Sequence, residues 1–311
     1  MSSVDLASCA WLTLLLAAVL YVGGTFSTHP QKEQVQVGER RELSDVTGTR
    51  VPRQMYRHIA SASALADRLL LELAEPERIV ARSQHGKLHD PDAYGYRQRA
   101  QIAGPGDLET LIALGADVLL VNQRGATAEI ARVRAAGIQV FDLGETRGLA
   151  TLRPAIYALA ELVGDRARGE RLWQRFIGRL HSVSSDVAPA ARKQALYVAN
   201  YAGKLYGGTR GTSYHDVLAA AGLNDVAAAE YRDWPVYDPE QLLALDPALI
   251  VTHTGMARAL CDNVWLARLR ACSGRAANVL ELAPELIGDA GLGMLDAAER
   301  LHELAYAKES P

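Results

Sequence analysis

The sequence contains 311 residues, of which 49% are hydrophobic and 22% are charged, so it is globular and long enough for two domains. Its formal net charge of −3 at pH 7 gives no electrostatic reason to expect a nucleic-acid partner.

The chain begins with its only long apolar run, CAWLTLLLAAVLYVGG at residues 9–24. The run is short for a helix that spans a membrane, and small residues follow it, but no Lys or Arg precedes it. The apolar region follows Cys9 instead of preceding it, which argues against lipidation there. We predict that residues 1–27 are a secretory signal peptide or an uncleaved N-terminal anchor. Residues 28–54 are polar without apolar periodicity, which predicts a tether.

Strands and helices are predicted to alternate from Tyr56 onwards. Residues 55–147 form a first lobe, with strands in YRHIASAS, RIVARS, DVLLV and IQVFDL and helices between them. Residues 148–190 form two linking helices, the second of them long. Residues 191–311 form a second lobe that begins with the strand QALYVAN. This alternation predicts an α/β protein with parallel sheets, and the cleft between the lobes is the expected ligand site.

Two stretches of the chain, GDLETLIALGADVLLVN and YDPEQLLALDPALIVTH, share their pattern 131 positions apart. Each predicts a short helix that leads into a buried strand, with Asp107 and Asp238 as N-caps. Glu109 and Glu240 lie in the first turn, where a carboxylate complements the positive end of the helix dipole. Dipole complementation and solubility alone would explain both glutamates.

Two cysteines remain if Cys9 belongs to the signal, namely Cys261 and Cys272. They bracket DNVWLARLRA, and an oxidising compartment would permit a disulfide between them. Two separate thiols are the alternative. Neither cysteine has metal-ligand spacing.

In their order and spacing, five segments resemble the periplasmic substrate-binding proteins of ABC importers for iron–siderophores, haem and cobalamin. The segments are ASASALADRLLLELAEPERIVARS, LETLIALGADVLLV, VRAAGIQVFDLG, YGGTRGTSYHDVLAAAGLNDVAA and WPVYDPEQLLALDPALIV. The resemblance covers about residues 55–308. It implies two Rossmann-like lobes with parallel sheets, joined by one long helix, with the ligand cleft between the lobes. The basic signal flank and the lipid-anchor cysteine that are usual in this family are missing here.

The resemblance implies a binding protein and not an enzyme. It would capture an iron or cobalt chelate outside the cytoplasm, in the periplasm or attached to the membrane, and hold no intrinsic cofactor. The expected partners are a permease dimer and its ATPase, with a membrane contact through the N-terminal segment if that segment is not cleaved. One glutamate on each lobe docks onto permease arginines in this family, and the matching positions are Glu109 and Glu240. A single long helix also implies modest closure of a largely preformed cleft.

The candidate ligand residues are aromatic, His and Arg side chains in the predicted loops. Aromatic faces suit flat macrocycles and catecholates, and Tyr206 and Trp234 match aromatic positions of a cobalamin-binding relative. Packing at the loop bases and plain solvent exposure are the alternatives. Groups suited to haem, to anionic siderophores and to cobalamin are all present, so the sequence does not choose among them. The set is His85, Tyr94, Tyr96, Arg97, Arg124, Tyr206, Arg210, Tyr214 and Trp234.

Two other functions compete with solute delivery. A chelatase-like enzyme of the same architecture would use His85 and His89 as acid–base or metal residues, although the sequence has no paired carboxylates or nucleophile elbow in a suitable place. A membrane-anchored sensor or scaffold is the second.

The glycine-rich GGTRGTSY is not followed by Lys, which excludes a phosphate-binding loop.

Overall fold

The computed structural model describes residues 42–86, 94–122, 126–273 and 278–306. The predicted signal or anchor at 1–27 lies outside these residues. Within the described ranges, no helix has the length and apolar character needed to cross a membrane.

A short antiparallel hairpin opens the described chain, formed by β1 (Glu42–Ser44) and β2 (Arg50–Pro52). Its central residues, Leu43 and Val51, are 5% and 2% exposed and belong to the core. The prediction of a tether over 28–54 is therefore wrong for the hairpin. Three residues per strand are too few to give the apolar alternation that marks a strand in a sequence.

The first lobe contains a five-stranded sheet in which every pair of neighbours is parallel. Its strands are β3 (Ile59–Ser61), β4 (Ile79–Ser83), β5 (Ala100–Ile102), β6 (Val118–Val121) and β7 (Gln139–Asp142). They lie in the order β5–β4–β3–β6–β7. The helices of the lobe are α1 (Ala64–Leu73), α2 (Tyr94–Arg97), α3 (Leu108–Ala113) and α4 (Thr127–Ala135).

Two helices connect the lobes, α5 (Leu149–Val163) and α6 (Arg166–Ser182). Gly164 ends α5 in the left-handed conformation, with a φ of 90°, which glycine adopts without steric cost. The second of these helices is the longer, with 17 residues against 15. The two linking helices expected from the apolar pattern over 148–190 are present.

Among the described residues of the second lobe, six strands and five helices are present. The strands are β8 (Gln194–Tyr201), β9 (Lys204–Gly207), β10 (Asn224–Asp225), β11 (Val236–Tyr237), β12 (Leu249–His253) and β13 (Val279–Leu282). The helices are α7 (Ser213–Ala220), α8 (Pro239–Leu245), α9 (Ala257–Cys261), α10 (Pro284–Ile287) and α11 (Met294–Tyr306). The sheet order is β11–β9–β8–β12–β13, with β10 beside β8.

The second sheet is mixed, whereas an all-parallel sheet was predicted. β8, β12 and β13 are parallel, but β8 turns back into β9 as an antiparallel hairpin, and β11 pairs antiparallel with β9. Ala202 and Gly203 form the turn with φ values of 50° and 79°. The prediction of a loop after QALYVAN missed this hairpin because its turn lacks the usual Asn-Gly or Asp-Gly signal. The two-lobed α/β fold class is confirmed.

The repeated unit forms equivalent parts of the two lobes, α3–β6 in one sheet and α8–β12 in the other. β6 lies between β3 and β7, and β12 lies between β8 and β13. Asp238 caps α8 in a capping box, in which it accepts from the Gln241 amide at 2.8 Å. Asp107 occupies the N-cap position of α3, but its side chain accepts from the Ala103 amide instead.

One hydrophobic core extends through both lobes. It joins residues of the first sheet, such as Phe141, to residues of the second, such as Val251. Helix α6 lies within it and contributes Leu172 and Phe176, each 5% exposed. The two lobes are therefore parts of one packed body.

A disulfide joins Cys261, at the end of α9, to Cys272, with their Cα atoms 5.3 Å apart. The sequence allowed either a disulfide or two separate thiols here, and the structure has the disulfide. Short 3₁₀ turns at 266–268 and 270–272 fill the loop. The bond restricts the unfolded chain and so stabilises the folded state.

We expect a Cys261→Ser/Cys272→Ser variant to lose roughly 3 kcal/mol of unfolding free energy, since the closed loop is short. Urea denaturation followed by far-UV circular dichroism measures the difference. Dithiothreitol should lower the wild-type midpoint to that of the variant and leave the variant unchanged. Equal midpoints for oxidised wild type and variant would show that the bond contributes nothing.

Candidate ligand-binding site

Both sheets present the carboxyl ends of their parallel strands to the space between the lobes; we call this side of each sheet the carboxyl edge. On the first lobe, His85 and Asn122 follow the ends of β4 and β6. On the second lobe, His253 ends β12 and Pro284 follows β13. Ligands of open parallel sheets bind at this edge, where loops gather and helix N-termini point.

A cavity of about 610 Å³ lies between the lobes. Arg68, His85 and Asn122 belong to its first-lobe wall, and Asp289 and Asp296 belong to its second-lobe wall. The Nη2 atom of Arg68 lies 4.0 Å from a carboxylate oxygen of Asp296 and joins the two walls. We call this space the interlobe cavity.

A second cavity, of about 320 Å³, lies on the second lobe and has a predominantly aromatic wall. We call it the aromatic cavity. It brings together three residues that the sequence predicted as ligand contacts, Tyr206, Tyr214 and Trp234. Its full lining is Tyr197, Tyr201, Ala202, Tyr206, Gly207, Tyr214 and Trp234.

Two adjacent glycines allow tyrosine rings to pack against the main chain, Tyr237 behind the cavity lining and Tyr214 within it. A Cβ atom on Gly207 would lie 2.4 Å from the ring of Tyr237, and one on Gly208 would lie 2.3 Å from the ring of Tyr214. Tyr214 in turn stacks on Tyr197, with 4.0 Å between ring centroids. The glycine-rich segment that is unsuited to phosphate thus serves close aromatic packing.

A buried imidazole holds two of the tyrosines in place. His253 lies with Nε2 at 2.8 Å from the Tyr197 hydroxyl and Nδ1 at 3.1 Å from the Tyr201 hydroxyl. Burial lowers the pKa of His253, so the ring is neutral at neutral pH. A neutral imidazole has one N–H and one lone pair, so one hydroxyl accepts from the ring and the other donates to it. The Tyr201 hydroxyl is thereby fixed at the rim of the cavity.

Arg147 bridges the two lobes at the mouth of the aromatic cavity. Its guanidinium lies 4.5 Å from the ring centroid of Trp234 and forms an ion pair with Asp233. The contact combines a cation–π interaction with a charge-assisted hydrogen bond. It places a positive group of the first lobe beside the aromatic wall of the second.

Three further predicted ligand residues line neither cavity. Tyr96 is 3% exposed and donates to Asp67 at 2.8 Å within the core, because α2 turns its ring inward. Its prediction as a cleft residue is corrected to a core role. Arg97 is half-buried, and its carbonyl accepts from Arg82 Nε at 3.3 Å. The side chain of Arg210 is exposed.

Other candidates fall outside the described residues, namely the side chain of Tyr94, Arg124 and His89. Among the described residues, no group of three or more His, Cys, Asp or Glu side chains is placed to hold a metal ion.

Four residues of the aromatic site were missed in the sequence: Arg147, Tyr197, Tyr201 and His253. One signal was available for the tyrosines. They lie four positions apart on the strand β8, so they share one face, as a period of two requires.

Glu109 and Glu240 are exposed, each in the first turn of its helix. In an α/β lobe a helix runs antiparallel to the strand that follows it, so α3 and α8 begin at the carboxyl edges. Each lobe therefore presents one carboxylate on the same side as the cleft.

Next to the cavity residue Tyr214 in the chain, His215 at the start of α7 forms a hydrogen bond from Nδ1 to Asp225 at 2.8 Å. The Asp225 side chain is 1% exposed and also accepts from the Thr209 hydroxyl at 2.6 Å. The hydrogen bond with Asp225 raises the pKa of His215 above its ordinary value. The hydrogen bond links α7 to the strand β10.

Two sheets that face each other across a cleft, with a core-packed connection, define a two-lobed α/β binding protein. The family model described as "Periplasmic binding protein" matches residues 59–271. The chain belongs to this family of substrate-binding proteins, and membership implies an extracytoplasmic location. No curated protein matches the sequence.

Several solved structures share the fold. One is a possible iron-binding, periplasmic solute-binding protein of Staphylococcus epidermidis, with 14% identity and a TM-score of 0.69 over 81% of this chain and 100% of that one. The periplasmic haem-binding protein HutB of Vibrio cholerae has 18% identity and a TM-score of 0.68 over 81% and 99%. The periplasmic haem-binding protein RhuT of Roseiflexus sp. RS-1 has 19% identity and a TM-score of 0.63 over 81% and 98%. At these identities the likeness shows the fold alone.

The His215–Asp225 pair predicts a pH-dependent stability. Because the folded-state pKa of His215 is raised, the stabilisation is fully present below the unfolded value of about 6.5 and is lost as the pH rises through the folded value. We expect the stability advantage of wild type over His215→Gln to be largest below about pH 6.5 and to shrink as the pH rises from there into the alkaline range. Urea denaturation at each pH measures it. A difference that stays constant over this range would contradict the prediction.

Proposed function

We propose that this protein captures a metal chelate (haem, a ferric siderophore or cobalamin) in its cleft and delivers it to the permease of an ABC importer. The observation that carries the proposal is the aromatic cavity at the carboxyl edge of the second sheet. Aromatic faces stack on flat, partly apolar chelates and leave their polar rims accessible to hydrogen bonds.

Haem matches this chemistry best of the three. Tyr201 is 50% exposed at the cavity rim, and its hydroxyl is held by His253 at 3.1 Å. A phenol oxygen is one of the protein ligands that bind haem iron. The surrounding rings of Tyr206 and Trp234 provide apolar contact for a porphyrin face.

Arg147 suits the anionic groups that haem and many siderophores carry. Its guanidinium is about 29% exposed and already pairs with Asp233. A carboxylate of the chelate would compete for the same donors, and a planar guanidinium accepts carboxylates in bidentate geometry. Entry of an anionic ligand would thus rearrange a contact that crosses the lobes.

Delivery is supported by Glu109 and Glu240, one exposed carboxylate on the cleft side of each lobe. A pair of this kind fits a permease dimer that offers one cationic contact per subunit. Charge pairs at the rim of an interface steer the approach and fix the register more than they add affinity. We also propose that the protein is attached to the membrane through residues 1–27 if that segment is not cleaved.

We expect haemin to quench tryptophan fluorescence upon titration, and Trp234→Ala to weaken its binding about 30-fold, as the loss of a central aromatic contact does in protein interfaces. Ferric siderophores and cobalamin are titrated in parallel to identify the preferred chelate.

Trp265→Ala is the matched control, because Trp265 is an exposed tryptophan of the same lobe that lines neither cavity. It should bind haemin like wild type. If none of the three chelates binds, the proposed function is wrong; equal affinities for wild type and Trp234→Ala would move the site away from the aromatic cavity.

Reversing both rim charges, in Glu109→Arg/Glu240→Arg, should reduce solute uptake by cells at least tenfold without changing the affinity for the chelate. The reason is that the charges act on the permease and lie outside the cavities. Uptake of the radiolabelled chelate by cells that express the variant measures the effect. The exposed pair Glu42 and Arg50 on the hairpin offers a control, Glu42→Arg, which should transport normally. Unimpaired uptake by the double variant would refute the docking role.

A further inference from the structure

One tyrosine of the aromatic cavity has a hydroxyl that is both accessible and held in place. Tyr201 is 50% exposed, whereas Tyr197 on the same face of β8 is 3% exposed. Tyr206 and His253 flank the Tyr201 ring edge-on, with 6.0 Å and 5.7 Å between ring centroids. The hydroxyl of Tyr201 lies 3.1 Å from Nδ1 of His253. Tyr201 thus borders the cavity with its oxygen fixed against a buried imidazole.

The hydrogen bonds around His253 favour one direction. The Tyr197 hydroxyl lies 2.8 Å from Nε2 of His253 and has Tyr214 as a second hydrogen-bonding partner. With Tyr214 as its acceptor, the Tyr197 hydroxyl accepts in turn from Nε2–H. The lone pair of the neutral ring then lies on Nδ1, where it accepts from the Tyr201 hydroxyl. His253 is therefore placed to receive the Tyr201 proton.

Uncharged groups contact His253. In the described part of the chain, its ring nitrogens contact tyrosine hydroxyls, and burial is the cause that lowers its pKa. Glu281 of the neighbouring strand β13 pairs with Thr252, so its side chain lies on the other face of the sheet, where it accepts from the Ala257 amide at 2.7 Å. A negative charge on Tyr201 would favour the imidazolium and offset the cost of its burial.

We propose that the aromatic cavity takes an iron(III) macrocycle with an open axial position, and that His253 receives the proton that Tyr201 loses when its oxygen binds the iron. The O–H bond of Tyr201 breaks and an oxygen–iron bond forms. The proton moves to Nδ1 of His253, a water molecule leaves the axial position for the solvent, and the iron stays ferric. The proposal rests on the proposed function of chelate capture.

This step selects one class among the three chelates. A siderophore that fills the coordination sphere of its iron leaves no place for a phenol, whereas a planar macrocycle leaves axial positions open. A phenolate oxygen is an anionic ligand that suits haem iron. His253 touches no atom of the chelate and acts as a positioning residue through Tyr201.

The transfer keeps the proton inside the protein. Its product is a phenolate beside an imidazolium, whose two N–H groups donate to Tyr201 and Tyr197. Binding then releases no Tyr201 proton to the solvent. Without the imidazole, the same proton has to pass to the buffer.

The test counts these protons. Calorimetric titration with haemin in buffers of different ionisation enthalpy measures the protons that binding exchanges with the solution. His253→Gln should release about one proton more per bound haemin than wild type, because a glutamine amide contacts the Tyr201 hydroxyl but does not take its proton. His302→Gln is the matched control, since His302 is a hydrogen-bonded histidine of the same lobe that lines neither cavity. It should exchange as many protons as wild type.

Gallium(III) protoporphyrin, a diamagnetic analogue of haem, permits a second measurement on the wild-type chain, which decides the question if His253→Gln does not fold. In the nitrogen NMR spectrum of histidine-labelled protein, one ring should change from one protonated nitrogen to two upon binding. Tyr201→Phe removes the proton at an exposed position. It should abolish this change and also remove the phenolate-to-iron absorption band of the haemin complex.

The outcomes separate this step from chelate capture. An extra proton released by His253→Gln and a doubly protonated ring in wild type support the proposal. Equal proton release by wild type and folded His253→Gln, or a histidine spectrum that gallium(III) protoporphyrin leaves unchanged, overturns the role of His253 and leaves capture intact. A phenolate band that survives in Tyr201→Phe overturns the choice of ligand atom. Preference for cobalamin or a ferric siderophore over haemin overturns the selected class, and failure of all three to bind wild type overturns the proposed function itself.

Discussion

The hydrophobic core that passes through α6 from one lobe to the other is the constraint on which the rest of the structure depends. Gly169 lets α6 approach α5 so closely that a Cβ atom there would lie 2.4 Å from the Cβ of Ala160. Beyond this contact Phe176 is 5% exposed, and burial of such a ring contributes about 1.5–3 kcal/mol. Arg175 and Arg179 continue the connection on the surface, through ion pairs to Glu72 of the first lobe and Glu299 of the second.

Because the two lobes share one core, the packing of that core sets the distance between the two sheets. Large opening would separate packed side chains and expose them to water, whereas small adjustments of loops at the cleft leave the core intact. The contact of Arg147 with Trp234 crosses between the lobes and yet can change without disturbing the core. It crosses the lobes at the mouth of the aromatic cavity, but it is formed by surface groups that exchange partners at low cost.

The sequence predicted the elements that have strong periodicity or clear caps. The helices α1, α5, α6 and α11 and the buried strands β6 and β12 carry long apolar patterns, and the repeated unit fixed the equivalence of the two lobes. The strands that were missed, β1, β2, β5, β9, β10 and β11, have two to four residues. Such short strands form because a neighbouring strand supplies hydrogen bonds, and the neighbour is remote in the sequence.

The candidate site was predictable only in part, for a related reason. Trp234, Tyr206 and Tyr214 were found because aromatic residues in predicted loops stand out. Tyr96 has the same appearance in the sequence, yet its hydroxyl donates to a buried carboxylate of α1, a partner that only the fold reveals. His253 was overlooked because it ends a strand that looks purely structural. Its two tyrosine partners come from a different strand, β8, which pairs with β12 more than 50 positions away.

The cross-link between Cys261 and Cys272 also links the folding of the protein to its place in the cell. Thiols stay reduced in the cytoplasm and become oxidised only outside it. A chain still awaiting export would have an open loop in place of the closed one, so residues 266–268 would be less firmly held against α8. Oxidation would then act as a maturation step, so that only protein which has reached its destination has the closed loop.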